Sequence, residues 1–245
     1  MASSGNDAGA PAGCGSHTAT ALPDPARGNL YLYVGGSSGA CQGIDIVRIN
    51  ITDPTNAVFV RRAPAGRQCH DNNVILGSVN MAVCAGGNGF SLLKFDPALD
   101  PAAVGGIENP TLVRSVAPTV PTAPPNSVGI GHSATFSYDG KTVIFGHEPG
   151  GGSGARCETS DTIVDKTLFF YSTANLSDES QTVEPVGKLL HARPQTGTEN
   201  CTWHNFNVAP TYKGYYAVSG SYEMGISVFD FTNPQAVEQI GRASL

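Results

Sequence analysis

One design recurs along this chain. "GIDIVRINITDP" at 43–54, "GFSLLKFDPALDP" at 89–101 and "GISVFDFTNP" at 225–234 each open on glycine, run as an alternating apolar strand and close on Asp or Asn with Pro. "KTLFFYSTANLSD" at 166–178 is a degenerate fourth copy. Before each copy stands a strand ending in small residues: "LYLYVGGSSG", "MAVCAGGNG", "TVIFGHEPGG" and "YYAVSGSYEMG". After three of them comes another short strand: "NAVFVRR", "PTLVRSV" and "AVEQIGR". Period-two alternation punctuated by Gly, Pro, Asn and Asp predicts strands, and no stretch carries a helical period. "YDGK" at 138–141 reads as an Asp-Gly hairpin.

A third element precedes these. "CHDNNVI" at 69–75, "GHSATFS" at 131–137 and "WHNFNVA" at 203–209 each put a histidine second, ahead of an alternating polar and apolar run. The unit is then a histidine-headed strand, a small-residue strand, a glycine-led strand and an outer strand. Four antiparallel strands repeated along a chain form the blade of a β-propeller. Gly43 and Gly89 stand 46 residues apart, a common blade length. The interval from Gly89 to Gly225 is about three times longer, with one blade between. That blade must carry insertions, and "GGIENPTLVRSVAPTVPTAPPNSVG" and "EPGGGSGARCETSDTIVD" have the composition of surface loops. A β-sandwich is the alternative fold, but it does not require an aligned repeat.

The sequence predicts an all-β fold with blades at roughly 28–65, 68–120, 130–192 and 203–245, as a four-bladed propeller or as part of a longer, incomplete ring. Residues 1–27, rich in Ala, Gly and Ser, read as a disordered lead-in. They lack the basic start and apolar core of a signal peptide. The first blade then has no innermost strand, unless "SHTATAL" at 16–22 supplies it. His17 gains weight only in that case.

Innermost strands border the channel of a propeller, so equivalent positions in successive blades gather around one axis. His70, His132 and His204 hold that position. Neutral imidazoles converging on an axis make a site for zinc, copper, iron or nickel. His147, in "FGHEPGGG", is a fourth candidate ligand. Asp71, Glu148 and Glu199 lie beside these histidines, as outer-sphere acceptors, ligands or a general base. Two other roles compete: a belt of hydrogen bonds between blades, and an acid-base pair. In "RPQTGTENCTWHNFN", Glu199, Trp203 and Asn205 are candidate pocket residues, with Arg193 to pair with Glu199 or clamp an anion. Trp203 reads equally as a plug between blades. His191 looks incidental.

Six cysteines, at 14, 41, 69, 84, 157 and 201, form no CxxC pair. An even, scattered set fits disulfides in an oxidising compartment, with buried free thiols as the alternative. Cys69 and Cys84 bracket a predicted hairpin that brings them within bridging distance. Cys157 with Cys201 across neighbouring units, and Cys14 with Cys41 by elimination, complete the expected set. "NIT", "NLS" and "NCT" are sequons that matter only in a glycosylating host.

Several chemistries lack their residues. Charged residues make up 14% and the net charge is −6, so there is no footprint for nucleic acid. No apolar run is long enough to span a bilayer. There is no GxSxG elbow and no HExxH, and "GGGSGAR" lacks the Lys-Ser/Thr ending of a phosphate loop.

"CHDNN", "GHSATFSYDGKTVIFGHEPGGG", "RPQTGTENCTWHNFN" and "GISVFDFTNP" together resemble the secreted bacterial LVIVD-repeat β-propeller proteins, over 69–245 closely and 28–68 loosely. The resemblance implies a propeller and export from the cell. It supplies no catalytic residues. A more distant likeness, of fold only, is to selenium-binding-type propellers with histidine-rich metal sites. The expected function is a secreted binding or interaction module for a small molecule or protein, with a histidine-lined pole that holds a divalent transition metal. The alternative is a metal-dependent hydrolase or oxidoreductase. Open blade edges in an incomplete ring would favour self-association.

Overall fold

A computed structural model describes residues 14–36, 41–120, 128–152, 154, 156, 160–180, 182–191, 196–209 and 211–243. Sixteen strands among them make four antiparallel sheets of four. The first sheet holds β1 (Ser16–Asp24), β2 (Asn29–Gly36), β3 (Gln42–Asn50) and β4 (Asp53–Gln68). The second holds β5 (Asp71–Ile75), β6 (Met81–Gly86), β7 (Gly89–Lys94) and β8 (Thr111–Val116). The third holds β9 (Gly131–Phe136), β10 (Thr142–His147), β11 (Thr167–Ser172) and β12 (Gly187–Leu190). The fourth holds β13 (Asn205–Ala209), β14 (Tyr216–Gly220), β15 (Ile226–Asp230) and β16 (Glu238–Ala243). Each sheet pairs its strands in chain order, as the repeat predicts. The Asp139-Gly140 turn joins β9 to β10, with Gly140 at φ 69° and its N–H donating to the Ser137 carbonyl. One short helix, α1 (Thr173–Ser177), capped by Ser172, follows β11 where the sequence showed no helical period.

The lead-in is shorter than the sequence suggested. Residues 16–24 form the innermost strand of the first blade and 25–27 a 3-10 turn, so "SHTATAL" completes that blade. Composition hid the strand, but its alternation is real: Thr18, Thr20 and Leu22 turn inward. The Thr18 hydroxyl donates to the His70 carbonyl at 2.7 Å, and that of Thr20 to the Asn72 carbonyl at 2.8 Å. Leu22 is fully buried.

Apolar cores lie between successive blades, because a sheet buries one face against its neighbour. Tyr31, Tyr33, Ile44 and Ile46 of the first blade meet Ala82 and Leu93 of the second. Val83, Phe90 and Leu92 meet Phe136, Phe145 and Phe169 of the third. Ile144, Leu168 and Phe170 meet Trp203, Phe206 and Phe229 of the fourth. Among the described residues, no such core joins the fourth blade to the first. Leu32, Val34, Val47 and Phe59 of the first blade instead line an open cleft of about 450 Å³. Val218, Ile226 and Ile240 of the fourth blade are exposed.

The small-residue strand ends have a steric cause. A Cβ on Gly35 would lie 2.3 Å from the carbonyl oxygen of His70, and one on Gly146 would lie 2.5 Å from that of Trp203. Each glycine lets the head of the next blade's innermost strand cross closely, and that crossing carries the histidine toward the axis.

Disulfides Cys14–Cys41 and Cys69–Cys84 have Cα separations of 5.1 Å and 5.3 Å. Cys201 is also disulfide-bonded. Its expected partner, Cys157, lies outside the described residues.

Candidate metal centre at the propeller axis

The four innermost strands surround an axial cavity of about 400 Å³, to which Thr18, Asn72, Ser133 and Asn205 contribute from successive blades. At its head stand four imidazoles in a row. Ring centroids are 4.1 Å apart for His17 and His70, 4.3 Å for His70 and His132, and 4.2 Å for His132 and His204. Blade-to-blade equivalence thus carries His70, His132 and His204 into one cluster, and His17 joins them from β1.

The residues after the histidines form the belt between blades, and they also meet the Nδ1 atoms of the rings. Thr18 reaches the His70 carbonyl, as described above. The Ser133 hydroxyl lies 2.6 Å from the His204 carbonyl, 2.9 Å from Asp71 Oδ2 and 3.0 Å from Asn205 Oδ1. His132 Nδ1 is 2.8 Å from Ser133 Oγ. With Nδ1–H donating to that oxygen, Nε2 keeps its lone pair for the opposite side. There Nε2 faces Glu148 Oε2 at 3.8 Å, while His204 Nε2 faces Oε1 of the same carboxylate at 3.3 Å. His204 Nδ1 meets the Asn205 amide at 3.1 Å.

Electrostatics favour neutral rings at His132 and His204 and a charged carboxylate at Asp71. Burial pushes His132 down to about 4, against a smaller upward pull from Asp71. Burial also lowers His204, which Glu148 partly offsets. For Asp71 burial acts upward, but the hydrogen bonds with His70 and Ser133 and the electrostatic attraction of the His132 and His70 rings outweigh it. The carboxyl ends below its usual range. Neutral imidazole and ionised carboxylate are the forms that bind a metal.

His147 does not join the cluster. Strand alternation turns it away from Glu148, and it sits buried near the Phe145 and Phe169 rings. Burial there lowers it to about 4. Trp203 is a core plug rather than a pocket wall: it is 0% exposed, stacks on His191 at 3.8 Å and donates from Nε1 to the Lys166 carbonyl. Glu199 accepts from the Thr196 N–H in a turn. Arg193 lies outside the described residues.

Tyr222 completes the site and has no counterpart in the repeat. Its hydroxyl donates to Glu148 Oε1, and its ring stands 4.7 Å from that of His204. Among the described residues it is the one non-glycine at positive φ, 47°, a conformation that costs about 1 kcal/mol or more. Burial and the Glu148 hydrogen bond both raise the phenol, so it stays a donor. Gly152, at φ 76°, passes so close that a Cβ there would lie 2.6 Å from the Tyr222 hydroxyl. Gly152 is therefore part of the wall of the pole.

No family model matches the chain, and no curated protein matches it in sequence. Among solved structures it is similar to Chaetomium thermophilum Sqt1, bound to the N-terminus of the ribosomal protein L10. The TM-score is 0.51 at 14% identity, over 88% of this chain and 49% of that one. The β-propeller domain of Myceliophteria_thermophila Cps50 (Swd1) has a TM-score of 0.44 at 13% identity, over 86% of this chain and 54% of that one. The chain spans about half the length of these structures. Four blades of four antiparallel strands, together with the likeness to Sqt1, make the fold a β-propeller.

Proposed function

We propose that this chain is a binding module whose axial pole holds a divalent transition metal on His132, His204 and Glu148. The observation that carries this reading is one carboxylate facing two imidazole Nε2 atoms, with all three ligand atoms within 4.8 Å of one another. Ser133 fixes the tautomer of His132, and Tyr222 holds Glu148, as outer-sphere groups do at metal sites. Zinc, copper, iron and nickel all suit such a nitrogen and oxygen donor set. The disulfides fit an oxidising compartment and hence export.

Three protein ligands leave a coordination position for water or substrate, the pattern of catalytic rather than structural zinc. That feature favours, as a second reading, a metal-dependent hydrolase or oxidoreductase built on the same residues. Sqt1, with its bound peptide, is a precedent for a protein ligand on a propeller. The uncovered faces of the first and fourth blades favour association with a second copy of the chain. Gly220 supports this: it pairs with Asn205 as Gly146 pairs with Ser133, yet nothing lies within 4 Å of a Cβ placed there.

Metal content of protein purified without a histidine tag, dialysed against zinc and then buffer, tests the proposal. Zinc retained by the wild type, with less retained by His132→Ala and by His204→Ala, is the expected result. A wild type without bound zinc, copper, iron or nickel would refute it.

A further inference from the structure

The first blade adds a second group of ligands beside the first. His17, His70 and Asp71 also present ligand atoms that all lie within 4.8 Å of one another. Asp71 stands between the two groups. Its Oδ1 is 3.0 Å from His70 Nδ1, and its Oδ2 accepts from Ser133 while lying 3.6 Å from His132 Nδ1. One carboxylate thus faces His70 with one oxygen and the outer side of His132 with the other.

We infer that the pole holds two transition-metal ions side by side, the second on His17, His70 and Asp71. Asp71 then has two tasks. It ligates the second ion, and through the Ser133 hydroxyl it fixes the tautomer by which His132 presents Nε2 to the first. The inference rests on the reading of His132, His204 and Glu148 for the first ion, while the second stands on its own residues. Each group brings one carboxylate and two imidazoles, so the donors are matched between them. Binding of the second ion depends on β1, since His17 reaches the axis only because Thr18 and Thr20 hold that strand against β5.

Stoichiometry decides the matter. Equilibrium dialysis against zinc should give two ions per chain for the wild type, one for His17→Ala, one for Glu148→Gln and none for the double variant. His17 is exposed, so His17→Ala should keep the far-ultraviolet circular dichroism of the wild type. Copper loading adds a second readout. The wild type should show an electron paramagnetic resonance signal broadened by coupling, and His17→Ala the sharp signal of an isolated ion. Two zinc ions retained by His17→Ala, or uncoupled copper in the wild type, would overturn the paired site. One ion in both the wild type and His17→Ala would overturn it too, yet leave the first site standing. No ion in either would overturn both.

Discussion

Replacing Gly146 with alanine tests how blade packing builds the site. The added Cβ would lie 2.5 Å from the Trp203 carbonyl oxygen and 2.7 Å from Phe206 Cε1. Heavy atoms ordinarily meet at about 3.5 Å. One obstacle is backbone and the other a ring in the core, so relief requires the third and fourth blades to separate by about 1 Å. Overpacking of this kind costs about 1–3 kcal/mol. With a urea slope of about 2 kcal/mol/M, the denaturation midpoint should fall by about 1 M. His204 rides on the displaced segment while His132 and Glu148 stay with the third blade. Zinc affinity should therefore drop about tenfold or more, the range seen when supporting groups are disturbed. Gly220→Ala is the matched control, because it ends the equivalent strand and meets nothing. A Gly146→Ala protein that matches Gly220→Ala in both midpoint and zinc affinity would refute the reasoning.

Acid should weaken the metal-free fold: His132 and His147 titrate near 4 when folded but near 6.5 when unfolded, so between these values only the unfolded chain takes up their protons. Stability should fall from pH 6.5 to 4 by up to about 3 kcal/mol per ring and level off below, measured by urea midpoints, and His147→Phe should flatten the profile. Tyr222→Phe removes the donor to Glu148, and calorimetry should show weaker zinc binding with stability changed by about 1 kcal/mol. Opening the 15-residue Cys69–Cys84 loop with a Cys-to-Ser pair should cost about 3 kcal/mol in a urea titration. Light scattering should find dimers that Ile240→Glu converts to monomers, since that side chain is exposed on the uncovered face of the fourth blade.

The fold was legible where alternation survives along each strand. Gly43, Gly89 and Gly225 marked equivalent strands because a glycine-led, half-buried strand is written into side chains every second residue. The convergence of His70, His132 and His204 was legible for the same reason, since repetition in sequence becomes rotation about an axis. β1 escaped because Ser16, Ala19 and Ala21 give weak contrast between its faces, although "SHTATAL" parallels "GHSATFS" residue by residue. That parallel was the signal for His17. His147 was misplaced because neighbours in a strand point to opposite faces: with Glu148 at the axis, His147 must enter the core. Tyr222 had no signal at all, since its backbone conformation and its reach to Glu148 depend on a turn that occurs once.

X-ray absorption at the zinc edge of the loaded protein tests the central claim most directly. The account predicts nitrogen and oxygen neighbours at about 2.0–2.1 Å, with the outer-shell scattering of imidazole rings, and loss of that scattering when His132→Ala is combined with His17→Ala. Sulfur ligands at about 2.3 Å, or a first shell of water oxygens without imidazole scattering, would contradict it.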